Sequence, residues 1–363
     1  MKPTLAKQLY TQMAAGLYPE NIQGTCRIEL ADAAGNYPAH ISYYGGELHF
    51  DDSSSTAADT VIRMSPDTLS GILDNADRFD LRDPLVLSMI ETEGDLSLAS
   101  FLFTLVKRPS KEVQALIQAT EQQTAGYQQE ITGIKRVHRP AEAEVLRLMA
   151  ASVPFVVTGV LDDWPLLSKD FTQLKAAYGN VSLRQNLEEG REETLADFIS
   201  KMEHANGMVY TFGCPLPLAI WAETPAPFFE WDDLTSPQIW MGRKTGDRPC
   251  TTLHRDCNHN MLAQLFGRKK LILFSPDQSA FLYPIPAFNT FQPCSVGDVL
   301  HPDLEKFPAF SQARSLEVTL EPGELLVIPA FWYHCVYAVD DVLSISFSLL
   351  WEAWKNLYHP TKQ

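Results

Sequence analysis

The sequence predicts an α+β chain of two domains, with a β-sandwich or jelly roll in its C-terminal part. Three observations predict it. The chain has 363 residues, 45% of them hydrophobic, which suits two domains or one large one and supplies a sizeable core. Residues 1–108 mix helical periodicity with alternating strand patterns. From about residue 134 the pattern changes to many short strands between Gly and Pro turns.

Leu5, Leu9 and Met13 recur one helical turn apart and predict an opening amphipathic helix. Strands are expected at Thr25 to Leu30 and Ala39 to Tyr44, with the turn signal Ala34-Gly35-Asn36 between them. Gly45-Gly46 turns the chain into Glu47 to Phe50, which completes an antiparallel meander. After a polar loop over 51–56, Thr60 to Met64 reads as another strand. Ser65 then caps a helix that has Pro66 at its first position. Glu93-Gly94-Asp95 reads as a turn into an apolar helix from Leu96 to Leu105. Residues 109–133 predict a helical linker: Ser110 as cap, Val113, Leu116 and Ile117 on one face, then a polar stretch to Glu130. The remainder, 134–363, carries expected strands at 155–157, 208–210, 238–241, 261–266, 270–274, 324–328 and 342–349.

The net charge of −16 opposes a phosphate polyanion, so general nucleic-acid binding is not expected. Solubility is the plain reading of that acidity, and a basic peptide partner the alternative. No apolar run reaches the ~20 residues that span a bilayer. The N-terminus lacks an apolar signal core, so a cytoplasmic location is expected. The six cysteines form no Cys-x-x-Cys pair and read as reduced thiols.

The chemistry gathers in the second part. In Thr251-Thr252-Leu253-His254-Arg255-Asp256, His254 and Asp256 are two apart and share a face of an extended strand. His-x-Asp alone is a common pair. A third ligand is offered by His334, which follows the apolar run Leu325 to Ile328 and the strand-ending Pro329. Two histidines and one carboxylate on a β scaffold form the facial triad of non-haem iron(II) oxygenases, which leaves coordination positions open. His259 and Arg255 flank the triad and read either as substrate-facing or as loop residues. Cys257 and Cys335 read as packing residues. Trp221 and Phe228-Phe229-Glu230-Trp231 either line a substrate mouth or pack a core.

At this level residues 134–357 resemble the JmjC, cupin-type family of iron(II)- and 2-oxoglutarate-dependent oxygenases. The branch it most resembles is that of the factor-inhibiting-HIF-type asparaginyl hydroxylases. The stretches that carry the resemblance are 240–242, 251–256, 267–278, 282–284, Phe307-Pro308 and Pro322-Gly323-Glu324 through His334. The resemblance implies a double-stranded β-helix of the cupin type. It implies iron(II) held by His254, Asp256 and His334, with 2-oxoglutarate and dioxygen as cosubstrates. It also implies Lys269 paired with the distal carboxylate of 2-oxoglutarate, and Thr251 donating a hydroxyl to it. Lys270 is the competing lysine and points the other way from Leu271 and Leu273. Asn260 lies where that branch has an amide near the metal-bound carboxylate, and Tyr210 offers another hydroxyl. Ser348 stands where that branch has a second amide.

The implied reaction converts 2-oxoglutarate to succinate and carbon dioxide and hydroxylates a C–H bond of a protein side chain or small molecule. The alternatives are a cupin with other metal chemistry and a binding module without catalysis. Residues 1–108 resemble the sterol-carrier-protein-type domain, on Ala58-Asp59-Thr60-Val61-Ile62 and Glu93-Gly94-Asp95-Leu96. That resemblance implies an apolar tunnel for a lipid, though Leu69, Ile72, Leu73, Phe101, Leu102 and Phe103 read first as plain core. If the protein forms a homodimer, this first domain is the expected surface.

Overall fold

The computed structural model describes residues 2–13, 23–52, 57–78, 84–186, 191–211, 213–230, 233–234, 237–288 and 291–349. The chain divides into two compact units. The first is residues 1–119 with 279–297 and 302–311; the second is 120–278 with 298–301 and 312–363. The division falls between residues 119 and 120 and returns two later segments to the first unit.

The first unit is built on a five-stranded sheet in the order Glu47–Asp51, Gly35–Tyr44, Gly24–Asp32, Thr60–Met64, Glu91–Gly94. Helices Lys2–Met13, Pro66–Asp74 and Leu96–Thr104 share its core. The predicted stripe Leu5, Leu9 and Met13 is buried. Ser65 Oγ accepts from Thr68 N–H at 3.0 Å and Pro66 opens the helix, as the sequence predicts. The last strand, Glu91–Gly94, was legible only as a turn, because all four of its residues are exposed and no alternation marks it. It pairs with Thr60–Met64. Gly94 has φ +91° and a Cβ there would meet Asp59 O at 2.3 Å, so glycine is required for this approach. Asp59 also accepts from Thr25 N–H at 2.8 Å, and Asp95 accepts from Leu98 N–H to cap the final helix. The two motifs that carry the sterol-carrier resemblance thus meet and close one corner of this sheet. Leu69, Ile72, Leu102 and Phe103 are buried in the core cluster, with Leu73 and Phe101 at its edge. Complete burial of Leu69 or Leu102 stabilises the unit by about 2–3 kcal/mol each.

The second unit contains two facing sheets. The larger runs in the order Cys214–Pro215, Gln238–Gly242, Val342–Leu349, His259–Phe266, Leu325–Ile328, Phe155–Thr158, Lys135–His138. The other contains, in order, Thr251–Asp256, Tyr333–Ala338, Lys269–Phe274 and Leu316–Leu320. Helices Glu142–Ala150, Phe171–Tyr178 and Leu195–His204 cover the outer face of the larger sheet. Val145, Leu174, Phe198 and Met202 pack there against Val157, Met261, Val327 and Ile345. Alternate residues of the same strands, Val156, Leu262, Leu326 and Ile328, turn inward and meet Leu271, Leu273, Val336 and Ala338 of the opposite sheet. Strands covered on both faces carry no apolar/polar alternation, which is why 325–328 reads as an uninterrupted apolar run.

Three local expectations need correction. Residues 208–210 make an isolated bridge, Tyr210 with Gly242, rather than a strand. Gly242 admits it: a Cβ there would lie 2.4 Å from the Tyr210 ring. His334 lies inside a strand, Tyr333–Ala338, that sequence reading missed because all six of its residues are buried. His259 and Arg255 are strand residues rather than loop residues. Among the described residues, no helix is long and apolar enough to cross a membrane.

Candidate functional site

The site forms on the inner face of the smaller sheet. His254 pairs in register with His334, and Leu273 with His334 on the other side. Register partners in antiparallel strands project to the same face, so both imidazoles enter the sandwich. Their ring centroids are 4.3 Å apart. Asp256 joins them: its Oδ1 is 3.8 Å from His254 Nε2 and its Oδ2 is 3.7 Å from His334 Nε2. The three residues offer ligand atoms all within 4.8 Å of one another.

The backbone sets which nitrogen of each ring faces this point. His254 Nδ1 lies 2.8 Å from Thr252 O, and His334 Nδ1 lies 3.1 Å from Trp332 O. A carbonyl only accepts, so each Nδ1 carries the proton and each Nε2 presents a lone pair. Burial drives the His334 pKa down to about 4; His254 adds to the shift and Asp256 opposes it. A neutral imidazole is the form that binds a metal. Asp256 is held from its backbone as well: Phe331, at φ +66°, donates its N–H to Asp256 O at 2.8 Å.

Asn260 Nδ2 donates to Asp256 Oδ2 at 2.5 Å, and Ser348 Oγ donates to Asn260 Oδ1 at 2.6 Å. These residues sit on neighbouring strands, in register with each other.

Further along the same inner face lies Lys269, 1% exposed, on the face of Leu271 and Leu273. Its Nζ is 5.4 Å from the Tyr210 ring centroid and 6.0 Å from that of Trp240. Among the described residues no carboxylate and no hydrogen bond meets it. Burial lowers its pKa to about 8, partly offset by Cys250. Lys270 points outward and pairs with Glu317 at 2.7 Å. Thr251 lies on the inner face through its register with Val336, and its side chain hydrogen-bonds to Tyr210. Tyr210 therefore stands beside both Thr251 and Lys269. Trp240 was not singled out from sequence as a neighbour of Lys269. The signal was present: Ile239 and Met241 face the helices, so Trp240 faces inward, and its indole N–H donates to Ser346 Oγ at 2.8 Å.

Other candidates fall outside this cluster. Arg255 is buried, ion-paired to Glu121 at 3.1 Å and stacked 4.9 Å over Tyr333. His259 is buried, accepts from Ala330 N–H at 3.1 Å through Nδ1, and is shifted down to about 4 by burial. Cys257 and Cys335 are buried and not joined in a disulfide. Trp221, Phe228 and Phe229 pack against the helical core, while Trp231 lies outside the described residues.

Comparison with known proteins places this geometry. Residues 215–355 match the family described as a cupin-like domain. The cupin-like match covers the part of the chain that holds His254, Asp256 and His334. The chain is 31% identical over 240 residues to lysine-specific demethylase 8 of Xenopus tropicalis, covering 60% of this chain and 52% of that protein. It is 38% identical over 125 residues to the HSPB1-associated protein 1 homolog of Danio rerio, covering 34% and 26%. It is 38% identical over 98 residues to tRNA wybutosine-synthesizing protein 5 of Danio rerio, covering 27% and 28%. The chain thus spans between about a quarter and about half of the length of these curated relatives.

Proposed function

We propose that this chain is an iron(II)- and 2-oxoglutarate-dependent oxygenase that hydroxylates a protein side chain or a small molecule, releasing succinate and carbon dioxide. One observation carries the reading: the buried Lys269 ammonium has no anion of its own among the described residues, on the same inner face as His254 and His334. A buried cation is tolerated when an anion completes it. Lys269 is four strand positions from the His334 row, about 13 Å along the strand. A lysine side chain and a short dicarboxylate together span that distance. A structural metal site alone leaves this ammonium unexplained, which weighs against the cupin alternative.

The donor set fits iron(II): two imidazole nitrogens and one carboxylate, with coordination positions left over. His254, His334 and Asp256 would hold the ion, which with the keto acid and dioxygen supplies the oxidising chemistry. The remaining work belongs to the chain. Lys269 anchors the distal carboxylate, Thr251 and Tyr210 add hydroxyls beside it, and Leu262, Leu271 and Val336 exclude water. The correspondence with asparaginyl hydroxylases extends to Tyr210, Thr251, Asn260 and Lys269, and Ser348 departs from it. The net charge of −16 supports a substrate other than bulk nucleic acid. Anaerobic addition of iron(II) and 2-oxoglutarate is expected to give the weak visible charge-transfer band of a chelated keto acid. Folded protein without that band refutes the reading.

A lipid ligand for the first unit is a separate proposal, supported only by the resemblance of its sheet and helices. Native mass spectrometry of the purified protein decides it: a co-purifying lipid sustains it, and protein of bare mass leaves the apolar residues as core.

A further inference from the structure

We propose that Ser348 is a positioning residue for the metal centre, acting through Asn260 to set which oxygen of Asp256 faces the metal. The inference rests on the metal-site reading above and deepens it.

Asn260 and Ser348 are register partners on adjacent central strands of the larger sheet. Both occupy the inward positions, in step with Leu262 and Ser346. Ser348 Oγ donates to the amide oxygen of Asn260 at 2.6 Å, which turns the amide nitrogen toward Asp256 Oδ2 at 2.5 Å. The reversed amide would set its oxygen against a carboxylate oxygen, so the acceptor-only aspartate selects the orientation and the serine hydroxyl, as donor, holds the amide in it. Among the described residues no second hydrogen bond reaches the Asp256 carboxylate. Oδ2 carries this hydrogen bond and Oδ1 carries none among the described residues, which assigns Oδ1 to the metal. A carboxylate with both oxygens available chelates through both and consumes a coordination position that an oxygenase must keep open. Outer partners of this kind tune metal affinity by about 10–100-fold.

The test uses the full chain and manganese(II) binding measured by isothermal titration, with no turnover required. Thr and Val are matched in shape and differ in the hydroxyl. Ser348→Thr is expected to bind manganese like the parent protein, and Ser348→Val about tenfold more weakly. Asn260→Ala is expected to weaken binding by 10–100-fold, and adding Ser348→Val to it to change nothing further. Equal affinity of the Thr and Val variants overturns the proposal, as does a double variant in which the two losses multiply. A parent protein that binds manganese but gives no keto-acid band refutes the oxygenase reading while leaving this coupling measurable. A parent protein that binds no metal refutes both.

Discussion

Replacing His254 with alanine is expected to abolish the anaerobic keto-acid band and to lower succinate formation, with or without substrate, by more than about a hundredfold. The expectation exceeds what is typical when an outer partner of a ligand is lost, because an alanine leaves only His334 and Asp256 around the ion. The fold should tolerate the change. His254 is partly buried, and its ring makes its backbone contact within its own strand, to Thr252 O. Thermal melting should therefore stay close to the parent value while metal titration fails. Retained succinate formation in a folded His254→Ala protein would remove the metal assignment altogether.

Lys269→Met is expected to raise the KM for 2-oxoglutarate by roughly two orders of magnitude, the effect of about 3 kcal/mol from a charge-assisted contact in a dry site. Metal affinity should be unchanged, because Lys269 lies four register rows from His334. The ligand-free variant should melt no lower than the parent, since the methionine removes a buried ammonium that meets no anion among the described residues. The parent enzyme should show the same dependence through pH. Burial holds the Lys269 pKa at about 8 in the free protein, so the ammonium is complete below that pH and lost above it. The apparent KM should then be flat below pH 8 and rise about tenfold per pH unit above it. In Lys269→Met that rise should vanish. A parent KM that is flat to pH 10, or a variant KM equal to the parent's, would separate Lys269 from cosubstrate binding.

What the sequence revealed follows from where the determining forces act. His254 and Asp256 were legible because strand geometry forces positions two apart onto one face. Lys269 was separable from Lys270 by the same alternation, and the structure places the two on opposite faces, one in the sandwich and one paired with Glu317. The strand around His334 was not legible: Tyr333 to Ala338 is covered on both sides, so period-two patterning disappears. The ion pair of Arg255 with Glu121 joins residues 134 positions apart and leaves no local trace. The same is true of the contact between Ser348 and Asn260. In the first unit, Glu93-Gly94-Asp95 reads as a turn, yet Glu91–Gly94 is a strand whose four exposed residues give no apolar signal to announce it. The helices over the larger sheet carry local signals of their own, since Asp170 with Gln173 and Thr194 with Asp197 form capping boxes.

The strand Val342–Leu349 lies between Gln238–Gly242 and His259–Phe266 in the larger sheet, yet Ser348 is separated from its neighbour Asn260 by 88 positions in the chain. During synthesis, those two strands leave the ribosome with a slot between them and unpaired edges on either side, the kind of surface that captures other nascent chains. The slot fills last, and with it comes the hydroxyl that orders Asn260. Completion of the proposed metal centre therefore waits on this strand, and until it pairs, the open edges beside the gap are the surface that chaperones would shield.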